Sequence, residues 1–214
     1  MKYLFLVLTF LVVQITLAQG LIPKTEFDFV VKGSSSWIIA NGAQGNNTAR
    51  SGYRNSIGGG VEFWRVFQIQ TGYSHLYKVA KNGDPTAIGF PQYGLMYHRS
   101  HEHNIYMAGS LRVPVPGTAW GVWAYGEARY DFTFSRSNTS YGRSPRGEIR
   151  DSSIPIPLYN QAYVGLGMEI YLDEEVVLNI LTYRMAPGTL FSKTPYDAFE
   201  GFGLEVGIYY RFLD

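Results

Sequence analysis

Near its C-terminal end the chain reads Phe202-Gly203-Leu204-Glu205-Val206-Gly207-Ile208-Tyr209-Tyr210-Arg211-Phe212. Side chains on a strand point alternately to opposite faces, so Phe202, Leu204, Val206, Ile208, Tyr210 and Phe212 share one wholly apolar face. The other face carries Gly203, Glu205, Gly207, Tyr209 and Arg211. A strand buried on both sides would read instead as an unbroken apolar run. An aromatic residue closing such a strand is what a transmembrane β-barrel needs at its last interfacial girdle.

The same alternation recurs upstream, and helical periodicity is nearly absent. Phe27, Phe29 and Val31 oppose Asp28, Val30 and Lys32, and Ile57, Val61 and Phe63 oppose Gly58, Gly60 and Glu62. A tight reversal at Trp64-Arg65 leads into Phe67, Ile69, Thr71 and Tyr73. Further segments are expected over 92–98, 105–115, 120–134, 164–170 and 176–185. Polar loops are expected over 41–55, 135–157 and 186–200, with turns at 81–85, 99–103 and 173–175, because Gly, Asn, Asp, Ser and Pro gather there. Most strands reach the roughly 9–11 residues that a tilted spanning strand requires.

These segments number nine, whereas single-chain bacterial barrels have even strand counts. Either two neighbours form one bent strand, or 141–149 hides a tenth. Chain length favours eight, with ten as the alternative. The expected fold is therefore all-β: a closed antiparallel up-and-down transmembrane β-barrel. Short turns alternating with long polar loops fit the periplasmic and extracellular ends of such a barrel.

Residues 1–18 read as a cleaved secretory signal, with Lys2 in a basic n-region, an apolar stretch to Leu17 and small Ala18 before Gln19. The barrel domain is then 19–214. Removing Lys2 from the 18 basic residues leaves 17 against 17 acidic ones, so the mature chain is formally neutral. That balance gives no electrostatic footprint for nucleic acid. With no cysteine, disulfides and thiolate chemistry are excluded.

Alternation alone does not separate a membrane barrel from a soluble one, which turns its apolar face inward. Glycine and charge placement favour the membrane form. Gly58, Gly60, Gly72, Gly94, Gly165, Gly167, Gly203 and Gly207 all lie on the polar face, where they leave room in a narrow lumen for Tyr125, Arg129 and Arg211. Charges of both signs share that face, and buried charges persist only when paired. A lumen network of Glu127, Arg129, Asp131, Glu205 and Arg211 is expected, joined by Glu62, Arg112 and Glu169.

With this pattern the chain resembles the small outer-membrane β-barrel proteins of Gram-negative bacteria, and most of all the barrel-domain families of the Bacteroidota, whose signals often end in Ala-Gln as Ala18-Gln19 does. Residues 203–212 are similar to the closing strand that the barrel assembly machinery recognises, although Leu213 and Asp214 follow Phe212. The resemblance implies an outer-membrane location, with outer-membrane lipid and the assembly machinery as partners. Fold alone does not assign function in so broad a group.

Chemistry is sparse. His98, His101 and His103 lie close together, but on an extended segment His101 and His103 share one face while His98 and Glu102 share the other. No metal spacing is recognised, and no cofactor motif or phosphate loop is present. His98-Arg99-Ser100 resembles the His-x-Ser of outer-membrane lipid A deacylases, in which the His is the base and the Ser the nucleophile. His101 stands where that motif has Asn, and no residue that would orient the base is identified. The expectation is therefore non-enzymatic: a structural or surface-interaction barrel whose long extracellular loops meet a ligand or protein. A deacylase-like hydrolase using His98 and Ser100 is the alternative, and a small pore the second.

Overall fold

The computed structural model describes residues 27–40, 50–82, 96–116, 121–144, 147–151, 160–187 and 201–212. Among them are nine strands: β1 (Phe27–Ala40), β2 (Arg50–Phe63), β3 (Phe67–Asn82), β4 (Met96–Pro114), β5 (Val122–Ser144), β6 (Gly147–Asp151), β7 (Gln161–Tyr171), β8 (Val176–Pro187) and β9 (Gly201–Phe212). Successive strands pair antiparallel, except that β7 pairs with β5 rather than β6, and β1 also pairs with β9, from Phe29 opposite Phe212 to Ala40 opposite Gly201. With β4 paired to β5, the ring β1-β2-β3-β4-β5-β7-β8-β9 closes as an eight-stranded up-and-down barrel. Closure removes every free edge within the ring.

The ninth strand adds no stave. β5 pairs with β6 from Ser140 opposite Asp151, and with β7 from Asp131 opposite Gln161. These registers differ by a single residue, so β6 and β7 lie along the same edge of β5. The expected tenth strand over 141–149 is thus the far end of β5 and a short return, β6. The polar turn expected at 99–103 is corrected as well: it lies inside β4, which joins residues 96–98 to the segment expected from 105, while 92–95 lie outside the described residues. Three loop boundaries move likewise. β2 already starts at Arg50, β5 continues through Ser144, and β8 includes Ala186 and Pro187. Lys81 and Asn82 end β3 rather than begin a turn. The cause is common to all of these. Strand pairing continues past the stretch where alternation is enforced, so polar residues there still hydrogen-bond through their backbones. The expected signal over 1–18 lies outside the described residues.

Three short connections sit at one end of the barrel. At the first, Val66 N–H donates to the Phe63 carbonyl at 3.0 Å while Trp64 and Arg65 adopt φ of 51° and 57°. Two successive left-handed residues form the mirror-image turn whose twist suits a hairpin. At the third, Asp173 Oδ1 accepts from Glu175 N–H at 2.8 Å and from Val176 N–H at 2.5 Å, closing the acidic turn through its own side chain. Pro114 to Val122 forms the second. At the opposite end β3, β4 and β5 rise furthest, with 16, 19 and 23 residues, well beyond a spanning length.

The partition of side chains is inverted relative to a soluble protein. Phe29, Ile57, Ile69, Met107, Leu166, Val206 and Ile208 face outward, Leu166 with 73% of its surface exposed. Asp28, Glu62, Arg112, Asp131 and Arg211 are buried inside. No helix among the described residues is long and apolar enough to cross a membrane, which says nothing about strands.

Candidate functional site

The interior is built of ion pairs seated against aromatic rings. At the turn end, Arg112 Nε donates to Glu169 at 2.9 Å, and its other nitrogens reach Glu62 and Gln68. Arg211 lies 2.9 Å from Glu62, contacts Asp28 and donates to the Glu174 carbonyl at 3.0 Å. Tyr209 O–H donates to Glu169 at 2.8 Å. Glu62 thus joins both arginines, and β1, β2, β4, β7 and β9 are tied together through one cluster.

Midway along, Lys32 lies 3.1 Å from Glu205 and 3.5 Å from Glu127. Arg54 Nη2 donates to Glu205 at 2.7 Å, and its guanidinium stacks 4.5 Å and 4.6 Å from the ring centres of Tyr163 and Tyr183. Arg129 donates to Asp131 at 2.6 Å and 3.2 Å and to Ser56 at 3.2 Å, and lies 3.8 Å over the Tyr106 ring. Toward the loops, Glu102 accepts from Lys78 at 2.7 Å and lies 3.0 Å from Arg136.

All five residues expected in the lumen network, Glu127, Arg129, Asp131, Glu205 and Arg211, are therefore buried on the inner face. They do not form one cluster: Arg211 belongs to the turn end with Asp28 and Glu62, Glu127 and Glu205 share Lys32, and Arg129 takes Asp131. Sequence reasoning missed six charged partners. Asp28 and Lys32 were placed on the polar face but not gathered into the network, and Lys78 lay beyond the residues assigned to its strand. Arg54, Glu102 and Arg136 fell in segments expected to be loop or turn. For Arg54 a signal existed, because it continues the parity of Ser56, Gly58 and Gly60.

Inward glycines seat the rings. A Cβ at Gly167 would come within 2.6 Å of Tyr125 Cε1, and one at Gly72 within 2.8 Å of Tyr106 Cε1. Gly58 and Gly72 face each other across β2 and β3, and Tyr106 lies between this bare backbone and Arg129. Tyr183 similarly covers Gly203. Tyr125 O–H accepts from Asn179 at 2.9 Å, and Tyr183 O–H donates to Ser36 at 2.9 Å.

The histidine segment divides between the two faces. Glu102 points inward, whereas His101 and His103 face outward beside His75 of β3. His75 Nε2 and His101 Nδ1 are 3.1 Å apart, and Tyr73 O–H meets His103 Nδ1 at 2.6 Å. The rings lie side by side, with His75 and His101 stacked at 5.3 Å and His75 and His103 at 5.0 Å between centres. Among the described residues no group of three His, Cys, Asp or Glu side chains is arranged to hold a metal. Ser100 is turned inward, 7% exposed, and accepts from Arg136 Nε at 3.3 Å. Trp37 and Trp64 are exposed and Trp123 faces the lumen.

No protein-family model and no curated protein matches the chain. Among solved structures it is similar to Neisserial surface protein A, with 15% identity and a TM-score of 0.49 over 86% of this chain and 97% of that one. It is also similar to the N-terminal β-barrel domain of Pseudomonas aeruginosa OprF, with 12% identity and a TM-score of 0.44 over 86% and 97%. A third similarity is to Ail, the attachment invasion locus protein of Yersinia pestis, in complex with the heparin analogue sucrose octasulfate (13% identity, TM-score 0.42, 87% and 98% covered). The architecture of this chain rests on its own strand pairings.

Proposed function

We propose that this protein is a non-enzymatic barrel of the outer membrane of a Gram-negative bacterium, with its three short turns in the periplasm and its loops outside. The observation that supports this is the inverted partition. Outward residues such as Phe29, Ile57, Leu166, Val206 and Ile208 form an apolar wall, while Asp28, Glu62, Arg112, Arg129 and Glu205 are buried within. A soluble barrel with this wall would expose far more contiguous apolar surface than water tolerates. A closed barrel also leaves no strand edge unsatisfied in lipid. The lumen network then acts as a structural plug, and specificity for an extracellular ligand or protein resides in the loops. Release of residues 1–18 and recognition of β9 by the barrel assembly machinery belong to the same reading.

Ser100 argues against the hydrolase. Acyl chains lie against the outer wall, whereas this hydroxyl is buried in the interior beside Arg136. The paired charges filling the lumen argue against a pore.

Refolding into phosphatidylcholine vesicles, followed by gel migration with and without heating, tests the placement. The folded barrel should migrate differently from the boiled chain and stay with the vesicles. Recovery as a soluble monomer after cell lysis would refute it. Mass spectrometry of lipid A from cells with and without the protein tests the hydrolase: loss of an acyl chain that a Ser100→Ala variant abolishes would reverse the assignment.

A further inference from the structure

Outward-facing ionisable side chains are few and of one kind. Tyrosines aside, the described outward side chains of the strands include His75, His101, His103, Arg99 and Arg184, and no carboxylate. All five lie toward the loop end. His75 is eight residues along β3 from Phe67, and His103 is eight along β4 from Leu111. A tilted strand gains roughly 2.5 Å of height per residue, so these imidazoles stand about 20 Å above the turn-end girdle, at the upper edge of an apolar band about 25 Å tall. The described outer wall carries no acid, and its bases gather at one lipid–water boundary.

We propose that His75, His101 and His103 form a site for the phosphate of a lipid headgroup in the leaflet at the loop end, and that protonation of the imidazoles strengthens it. The proposal rests on the membrane placement argued above. Each imidazole engages a neighbour through one ring nitrogen: Nε2 of His75, Nδ1 of His101 and Nδ1 of His103. In the His75–His101 contact one ring nitrogen donates and the other accepts, so the second nitrogens of both rings are donors to a phosphate oxygen only when the pair carries one added proton. Tyr73 O–H donating to His103 Nδ1 leaves the proton of His103 on Nε2 as a donor. Tyr73 and Phe134 flank His103, and Tyr77 flanks His101 at 4.9 Å, giving an apolar floor for the start of an acyl chain.

Imidazole is the side chain whose charge changes most readily near neutral pH, and protonation of the cluster places positive charge beside a bound phosphate. Among the described residues no acid faces the cluster. The facing groups are Tyr53 and Asn55 on β2, Tyr73 and Tyr77 on β3, Arg99 on β4, and Phe134, Ser135 and Ser137 on β5. Charged imidazoles repel one another, and a bound phosphate relieves that repulsion.

The test uses the refolded barrel in phosphatidylcholine vesicles carrying spin-labelled phosphatidylglycerol or spin-labelled phosphatidylcholine. The phosphodiester keeps its single charge across the pH range used, so any pH response belongs to the protein. Wild type should immobilise phosphatidylglycerol in preference to phosphatidylcholine, with the preference rising about fivefold from pH 7.5 to 5.5. The triple variant His75→Gln/His101→Gln/His103→Gln should insert normally and lose that rise. Arg184→Gln, on the opposite wall, should leave it intact. An unchanged rise in the triple variant overturns the site. Displacement by millimolar inorganic phosphate would show a free-anion site and overturn the lipid assignment. Failure to insert into neutral vesicles at all would instead refute the membrane placement itself.

Discussion

Arg54 and Glu205 meet across the lumen at 2.7 Å, although 151 positions separate them in sequence and their strands, β2 and β9, do not pair. β1 lies between them and contributes Lys32, whose ammonium stands 3.1 Å from the other oxygen of Glu205. One carboxylate therefore ties together three strands at the seam where the first strand meets the last. Its depth matters, because both Arg54 and Glu205 side chains are only 1% exposed.

Removing that carboxylate should cost more than removing Arg54. Glu205→Ala leaves Arg54 and Lys32 facing each other in a water-poor interior, and losing one partner of a buried pair costs about 3–5 kcal/mol. Arg54→Ala leaves Glu205 bound to Lys32, whereas Lys32→Ala leaves it bound to Arg54 but strands the buried Glu127, 3.5 Å from the lost ammonium. Urea unfolding in vesicles should place Glu205→Ala below Arg54→Ala in midpoint. A Glu205→Ala midpoint equal to that of Arg54→Ala would disprove this arrangement of the seam.

The glycines make a second, sharper contrast. Gly167→Ala places a methyl against the Ile180 backbone carbonyl and the Tyr125 ring, whose hydroxyl Asn179 holds, whereas a Cβ at outward-facing Gly109 meets nothing within 4 Å. Overpacking of this kind costs about 1–3 kcal/mol. Gly167→Ala should lower the urea midpoint and Gly109→Ala leave it unchanged or slightly raised. The double variant Gly167→Ala/Tyr125→Phe tests whether the ring or its hydroxyl contact carries the cost: relief would assign it to the hydroxyl.

How far the sequence was legible depends on where each residue sits along its strand. In the apolar band, lipid on one side and a tight lumen on the other force period two, and the inner and outer faces of β9, β7 and the first half of β5 are readable residue by residue. Toward the loop end polar residues stand on the outer face as well, the hydropathy alternation lapses, and Arg54 and Glu102, though buried, looked like loop and turn residues. Arg136 was hidden by a further device. The β4–β5 register shifts between His103 and Asn104, with Ser135 opposite the first and Thr133 opposite the second, leaving Phe134 as an extra residue. Such a bulge reverses side-chain parity. Asp131 and Thr133 point inward before it and Arg136 after it, a change no periodicity count would follow. His75 was missed for another reason: its pairing with His101 and His103 comes from β3–β4 register, which composition does not encode.

The turn-end cluster should govern conductance. Arg112 and Arg211 are both buried and share Glu62, so the wild-type barrel in a planar bilayer should show no steady channel. Arg112→Ala/Arg211→Ala removes both cations and leaves Asp28, Glu62 and Glu169, a ring of carboxylates that attracts cations. Brief cation-selective openings are expected in that variant. Steady openings in the wild type would contradict a plugged lumen.

Ala128 and Arg129 are neighbours in β5 with opposite surroundings. Ala128 faces outward, between Gly109 of β4 and Val164 of β7, near the middle of the apolar band. Arg129 faces inward against Asp131, Ser56 and Tyr106. A basic side chain at mid-membrane costs about 2–4 kcal/mol, so Ala128→Arg should impair folding into vesicles, and Ala128→Leu should not. Arg129→Leu should also be costly, because it strands Asp131 in the interior. The two losses differ in how they are repaired. Arg129→Leu/Asp131→Leu removes the orphaned charge and should recover most of the lost stability, since a buried pair replaced by apolar residues is often neutral. No inward substitution should rescue Ala128→Arg. Heat-modifiable folding yields and urea midpoints for these variants decide the matter: normal folding of Ala128→Arg would mean that this face of β5 does not lie against hydrocarbon.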